Sequence, residues 1–94
     1  MRPNSIDDPE ARTLEKSFGE ALRKLRLSCG LSQEALGFMS GYHRTYISLL
    51  ERGRKSPSLQ TIFRLSNALG TEPSEIVRHV QNLMSRQNSS PIDD

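Results

Sequence analysis

Ninety-four residues, 34% of them apolar, make one domain with a thin core and leave no room for a second. A single cysteine, Cys29, excludes an internal disulfide and a thiolate pair for a metal. No apolar run approaches the roughly 20 residues that span a bilayer, MRPNSIDD has no signal-peptide apolar core, and a soluble cytoplasmic protein of net charge +2 is expected.

No segment alternates apolar and polar residues long enough for a strand, whereas helical spacing recurs five times between Gly, Ser and Pro punctuation. The first helix carries Leu14, Phe18, Leu22, Leu25 and Cys29 on one face, so Cys29 is expected to be a small buried hydrophobe. Asp8-Pro9 and the Ser17…Glu20 capping box both mark possible starts, and Gly30 supplies the positive φ that stops the helix. Ser32 caps a short second helix with Leu36 inward, and Gly37 lets a neighbouring helix approach its backbone. Gly41 breaks that helix. A third runs from about His43 to Arg52, with Ile47 and Leu50 inward and Gly53 as terminator. After the basic loop RGRKSPS, Ser58 caps a fourth helix with Leu59, Ile62, Leu65, Ala68 and Leu69 on one stripe, closed by Gly70. Pro73 opens a fifth through about Arg86, with Ile76, Val77, Val80, Leu83 and Met84 apolar. The domain is expected over 9–87, with residues 1–8 and 88–94 polar, Pro-containing and disordered.

Charge is unevenly spread. Residues 1–20 carry three basic and five acidic side chains, while 41–60 carry Arg44, Arg52, Arg54 and Lys55 against Glu51 alone. Positive charge therefore collects mid-chain, where a polyanion can be held, although a solvated surface without a partner has the same look. Two short helices joined by a tight Gly-containing turn and followed by a basic loop outline a helix-turn-helix, an outline shared with ordinary helical hairpins. The residues are more specific. GLSQEAL at 30–36, YIxxxERG at 46–53, SPSL at 56–59 and LxxALG at 65–70 resemble the helix-turn-helix family of phage repressors, the Cro/C1-type or XRE-like proteins. The segment HRTYISLLERGRKSPSL at 43–59 is similar to the controller proteins of restriction–modification systems, which are small homodimeric transcription regulators. It departs from them at His43, where Asp is common, and at Tyr42, where a smaller aliphatic residue is usual; Phe38 and Met39 replace more polar residues. The resemblance implies an all-α, five-helix, lambda-repressor-like DNA-binding domain that binds a palindromic operator. It also implies that Glu51 pairs with an Arg of the first helix, a position matched by Arg26.

Roles for the exposed side chains follow from groove chemistry. Arg44 and Thr45 lie in the first turn of the third helix, the part that enters a major groove most deeply. An arginine there donates twice to guanine O6 and N7, and a threonine offers a hydroxyl and a methyl for the thymine C5-methyl. Ser48 lies four residues past Arg44 on the same face, and Tyr46 can touch a base or the backbone. Gln33 and His43, at the starts of the second and third helices, are expected on phosphates, as are Arg52, Arg54, Lys55 and the helix start at Ser58.

Catalysis finds no support: His43 and His79 lack clustered Asp, Glu or Cys, and there is no phosphate loop or nucleophile elbow. No cofactor or metal is expected. The competing reading is an antitoxin-type interaction module, for which Phe38, Met39 and the acidic N-terminal segment give footing; a toxin or RNA polymerase would then be the protein partner. A homodimer is expected, held by Val80, Leu83 and Met84 of the fifth helix. Ile76 and Val77 close the chain's own core, and Leu83 and Met84, about 10 Å further along at 1.5 Å per residue, are expected to overhang it.

Overall fold

The computed structural model describes residues 9–88, with side chains from 13 to 86; the terminal segments expected to be disordered fall, but for Asn88, outside the described residues. Five helices follow in order: α1 (Pro9–Ser28), α2 (Gln33–Ser40), α3 (Arg44–Glu51), α4 (Leu59–Leu69) and α5 (Pro73–Asn88). There is no strand among the described residues. The punctuation acts as its chemistry requires. Ser32 and Ser58 accept from the backbone N–H groups of Ala35 and Thr61, each at 3.0 Å, so each helix start has one of its free donors satisfied. Gly30, Gly41, Gly53 and Gly70 all have positive φ.

The core gathers Phe18, Ala21 and Leu22 of α1, Leu36 of α2, Ile47 and Leu50 of α3, Leu65 and Leu69 of α4, and Ile76, Val80 and Leu83 of α5. α1 packs on both α3 and α5, while α2 packs on α3 and α4, and α4 on α5. Its crossing with α3 is close because Gly19 has no side chain: a Cβ there would stand 2.5 Å from the carbonyl oxygens of Leu50 and Glu51. Gly37 admits the turn and the start of α3, since a Cβ on it would meet the Tyr42 carbonyl oxygen at 2.5 Å and the Arg44 nitrogen at 3.3 Å.

Four expectations are corrected. α1 starts at Pro9, so Ser17 is no cap; it lies fully buried in mid-helix with its hydroxyl unpartnered. Cys29 is exposed, because α1 ends at Ser28 and helical periodicity no longer governs the next side chain; its thiol faces the Leu69 carbonyl at 3.6 Å. Leu83 does not overhang. It is buried in the chain's own core, and Met84 is half-buried against it, because the 20-residue α1 is long enough, about 30 Å, to cover the far turns of α5. Val77, expected in the core beside Ile76, is half exposed.

A buried hydroxyl without a partner costs its desolvation and gains nothing in return. Ser17→Ala removes it and favours the helix, so the variant is expected to be more stable by about 1 kcal/mol, read as a raised midpoint of urea unfolding.

Candidate nucleic-acid interface

α3 is an eight-residue helix with one anchored face. Ile47 and Leu50 are fully buried, which turns Arg44 and Thr45, at its first turn, out into solvent. Ser48 is half-buried and accepts from Arg52 Nε at 3.3 Å, so serine and arginine lie along one side of the helix. The N-terminus is capped by His43, whose Nδ1 accepts the Thr45 N–H at 3.0 Å. Among the described residues, Arg44, Arg52, Arg54 and Lys55 are exposed and make no ion pair, so their charge stands free beside the helix.

The other end of α3 is tied down. Arg26 Nε donates to Glu51 Oε2 at 2.6 Å and Nη2 to Oε1 at 3.0 Å, a two-pronged contact between side chains that are almost wholly buried. Arg26 Nη1 also donates to the Leu31 carbonyl at 2.8 Å. The hydrogen bond to Glu51 raises the guanidinium pKa above its ordinary value, against the opposing effect of burial. Gln33 joins the cluster, its amide nitrogen 3.1 Å from Glu51 Oε1, so one donor of this expected phosphate ligand is turned inward. Glu51 is thus neutralised within the fold and does not oppose an anion at the surface.

Between these ends lies a layer the sequence did not suggest. The rings of Tyr42 and Tyr46 stack at 4.9 Å, tilted by 44°. Their hydroxyls lie 2.9 and 3.4 Å from Thr61 Oγ1 on α4, and the capping Ser58 hydroxyl lies 3.0 Å from that same atom. The Arg64 guanidinium sits 5.4 Å from the Tyr42 ring centroid, within cation–π range. The Tyr46 hydroxyl is therefore directed at α4, and its ring is part of the seat of α3 on the body. Thr61 had one signal, its place three residues after the Ser58 cap, where a hydroxyl can fold back on the capping side chain.

The turn from α2 into α3, the cationic loop after it and the buried linkage to α1 coincide with a known family: residues 22–76 match the helix-turn-helix family. The chain belongs to that family. Among its relatives, the control protein C.BamHI of Bacillus amyloliquefaciens is 46% identical over 61 residues, 64% of this chain and 75% of that one. The control protein C.SmaI of Serratia marcescens is 36% identical over 74 residues, 79% of this chain and 80% of that one. The crystal structure of the restriction–modification controller C.AhdI from Aeromonas hydrophila superposes with a TM-score of 0.64 at 48% identity, covering 65% of this chain and 92% of that one. The matched residues include α2 and α3, the two helices joined by the turn at Gly41. No helix is long and apolar enough to cross a membrane among the described residues.

Removing either partner of the Arg26–Glu51 pair strands the other charge in a buried site. Glu51→Ala and Arg26→Ala are each expected to cost about 3–5 kcal/mol in chemical unfolding. The double variant should cost much less than the two combined, because neither charge is then left alone. Additive losses would mean that the two side chains act independently.

Proposed function

We propose that this helix-turn-helix protein is a sequence-specific, DNA-binding transcriptional regulator that acts in the cytoplasm as a homodimer on a palindromic operator. The likeness to two control proteins and to the restriction–modification controller C.AhdI supports a controller role. The observation that carries the reading is the contrast along α3. Ile47 and Leu50 are wholly buried, while Arg44 and Thr45 stand exposed on its first turn, Arg44 without an ion pair among the described residues. Arg44 reads a guanine through O6 and N7, Thr45 and Ser48 add hydroxyl contacts, and Tyr46 contributes its ring edge while its hydroxyl seats the helix. Arg52, Arg54 and Lys55, with the N–H groups at the Ser58 cap, hold phosphates and fix the register; Gln33 and His43 serve the same backbone from the starts of α2 and α3.

A second copy is required for a palindrome, and Leu83 and Val80 are already committed to the core. Support for the seam lies instead in an apolar groove of about 230 Å³ lined by Leu14, Phe18, Pro57, Ile62, Val77 and Val80. Leu14 and Val77 on its rim are each about half exposed, and Met84 follows two turns beyond Val77 on the same edge of α5. Sedimentation at tens of micromolar should give a dimer for the wild type and a monomer for Leu14→Glu/Val77→Glu. A double variant that dimerises unchanged would move the seam elsewhere.

Phe38, 87% exposed, and Met39 beside it favour a further protein contact on the outer face of α2. A toxin or RNA polymerase is the partner proposed for that face, and co-purification with a neighbouring gene product would distinguish the antitoxin role. For the main reading, the test is gel-shift titration against duplexes enriched by this protein from a random-sequence pool. Arg44→Ala should lose about 1–3 kcal/mol and relax preference at one guanine per half-site. Lys55→Ala should weaken binding to all sequences alike and lower the salt slope by about 0.9. Unchanged base preference in the first would remove Arg44 as a reader.

A further inference from the structure

His43 is an unusual cap. Ser, Thr, Asp and Asn lead at this position because a side-chain oxygen accepts the free N–H of the first turn. Here an imidazole nitrogen does so, with Nδ1 3.0 Å from the Thr45 nitrogen and the His43 backbone extended at φ −73° and ψ 148°. A backbone N–H can only donate, so Nδ1 presents its lone pair and carries no proton. In that bond Nε2 is left as the ring's donor. Because Nδ1 and Nε2 diverge across the five-membered ring, an Nδ1 turned toward the helix start aims Nε2–H away from it. The side chain is exposed, immediately before Arg44 and Thr45, and has no other hydrogen-bond partner among the described residues.

We infer that His43 couples two tasks that an acidic cap cannot combine. The capping bond locks the imidazole as the Nε2–H tautomer, and that N–H donates to an acceptor on the DNA, a phosphate oxygen or a purine edge, at the start of α3. This rests on the DNA-binding reading and deepens it. A carboxylate at the same place would cap α3 well but would offer only acceptors and a negative charge to a polyanion. Helix stability and DNA affinity therefore pull in opposite directions at this residue. His43→Asp separates them.

Long-range ¹⁵N–¹H correlation of the free protein near neutral pH reports the tautomer, and thermal melting and anisotropy titration report the two tasks. The probes are a duplex enriched by the wild type from a random pool and a scrambled duplex of the same composition. His43→Asn keeps both an acceptor for the cap and a donor, and should bind within about threefold of wild type. His43→Ser keeps a neutral cap without the reach, and should lose about tenfold with little change in melting. His43→Asp should melt at or above the wild-type temperature and bind more weakly than the serine variant. Loss on both duplexes assigns the acceptor to phosphate, and loss on the enriched duplex alone assigns it to a base. Protonated Nδ1 in the free protein, or serine and aspartate variants that bind like wild type, would overturn the proposal. A wild type that enriches no duplex overturns the DNA-binding reading itself, and this proposal with it.

Discussion

A helix of eight residues has too little backbone of its own to hold a fixed attitude, and α3 depends on the buried contact between Glu51 at its last turn and Arg26 of α1. Two charges taken out of water cost several kcal/mol each, and they are tolerable only where geometry and extra hydrogen bonds compensate. Both conditions are met: the pair is two-pronged, the remaining guanidinium nitrogen donates to the Leu31 carbonyl, and Gln33 adds a third hydrogen bond to the carboxylate. The bond geometry is stringent in a way that apolar contact is not. It ties the end of α3 to the end of α1 and the beginning of α2 at one point. Gly19 makes the arrangement possible by letting the α1 backbone lie against the last carbonyls of α3.

The opposite end of α3 is held by different chemistry. Tyr42 and Tyr46 stack and converge on Thr61, which links the turn and the helix to the cap of α4. A hydroxyl has one proton, so Thr61 cannot donate to all three of its neighbours; the cluster works only as a mutual network in which some donate and some accept. Held at both ends and buried at Ile47 and Leu50, α3 presents Arg44 and Thr45 at a fixed height above the body. Groove recognition needs that rigidity, since a base edge is read by two hydrogen bonds of defined direction. The free positive charge beside it needs no such rigidity, and accordingly Arg54 and Lys55 sit on a loop.

Much of this was legible in the sequence because local signals are short-ranged. Apart from the start of α3 at His43, the helix boundaries between α1 and α5 coincide with a Ser, Gly or Pro whose backbone preference acts within four residues, so the order of the helices and the turn at Gly41 can be read directly. Long-range packing was less legible. Leu83 looked like an overhang because nothing in the spacing of α5 reveals that α1 runs to 20 residues and covers it. Cys29 fell in phase with a helix that had already ended. The tyrosine layer was hidden for a related reason: Tyr42 precedes α3, and its partner Thr61 is 19 residues away. Glu51 was placed by family resemblance, and no periodicity would have paired it with Arg26.

The central claim is that α3 and the loop after it form the DNA-contacting face, with the body of the protein behind them. Amide chemical-shift mapping of the ¹⁵N-labelled protein, titrated with an enriched duplex, tests it most directly. The largest changes should fall on His43, Arg44, Thr45 and Ser48 and on the loop around Arg54 and Lys55, with the exposed side of α5 around Arg78 and Asn82 unmoved. Changes confined to α5, or to the outer face of α2 around Phe38 and Met39, would contradict it.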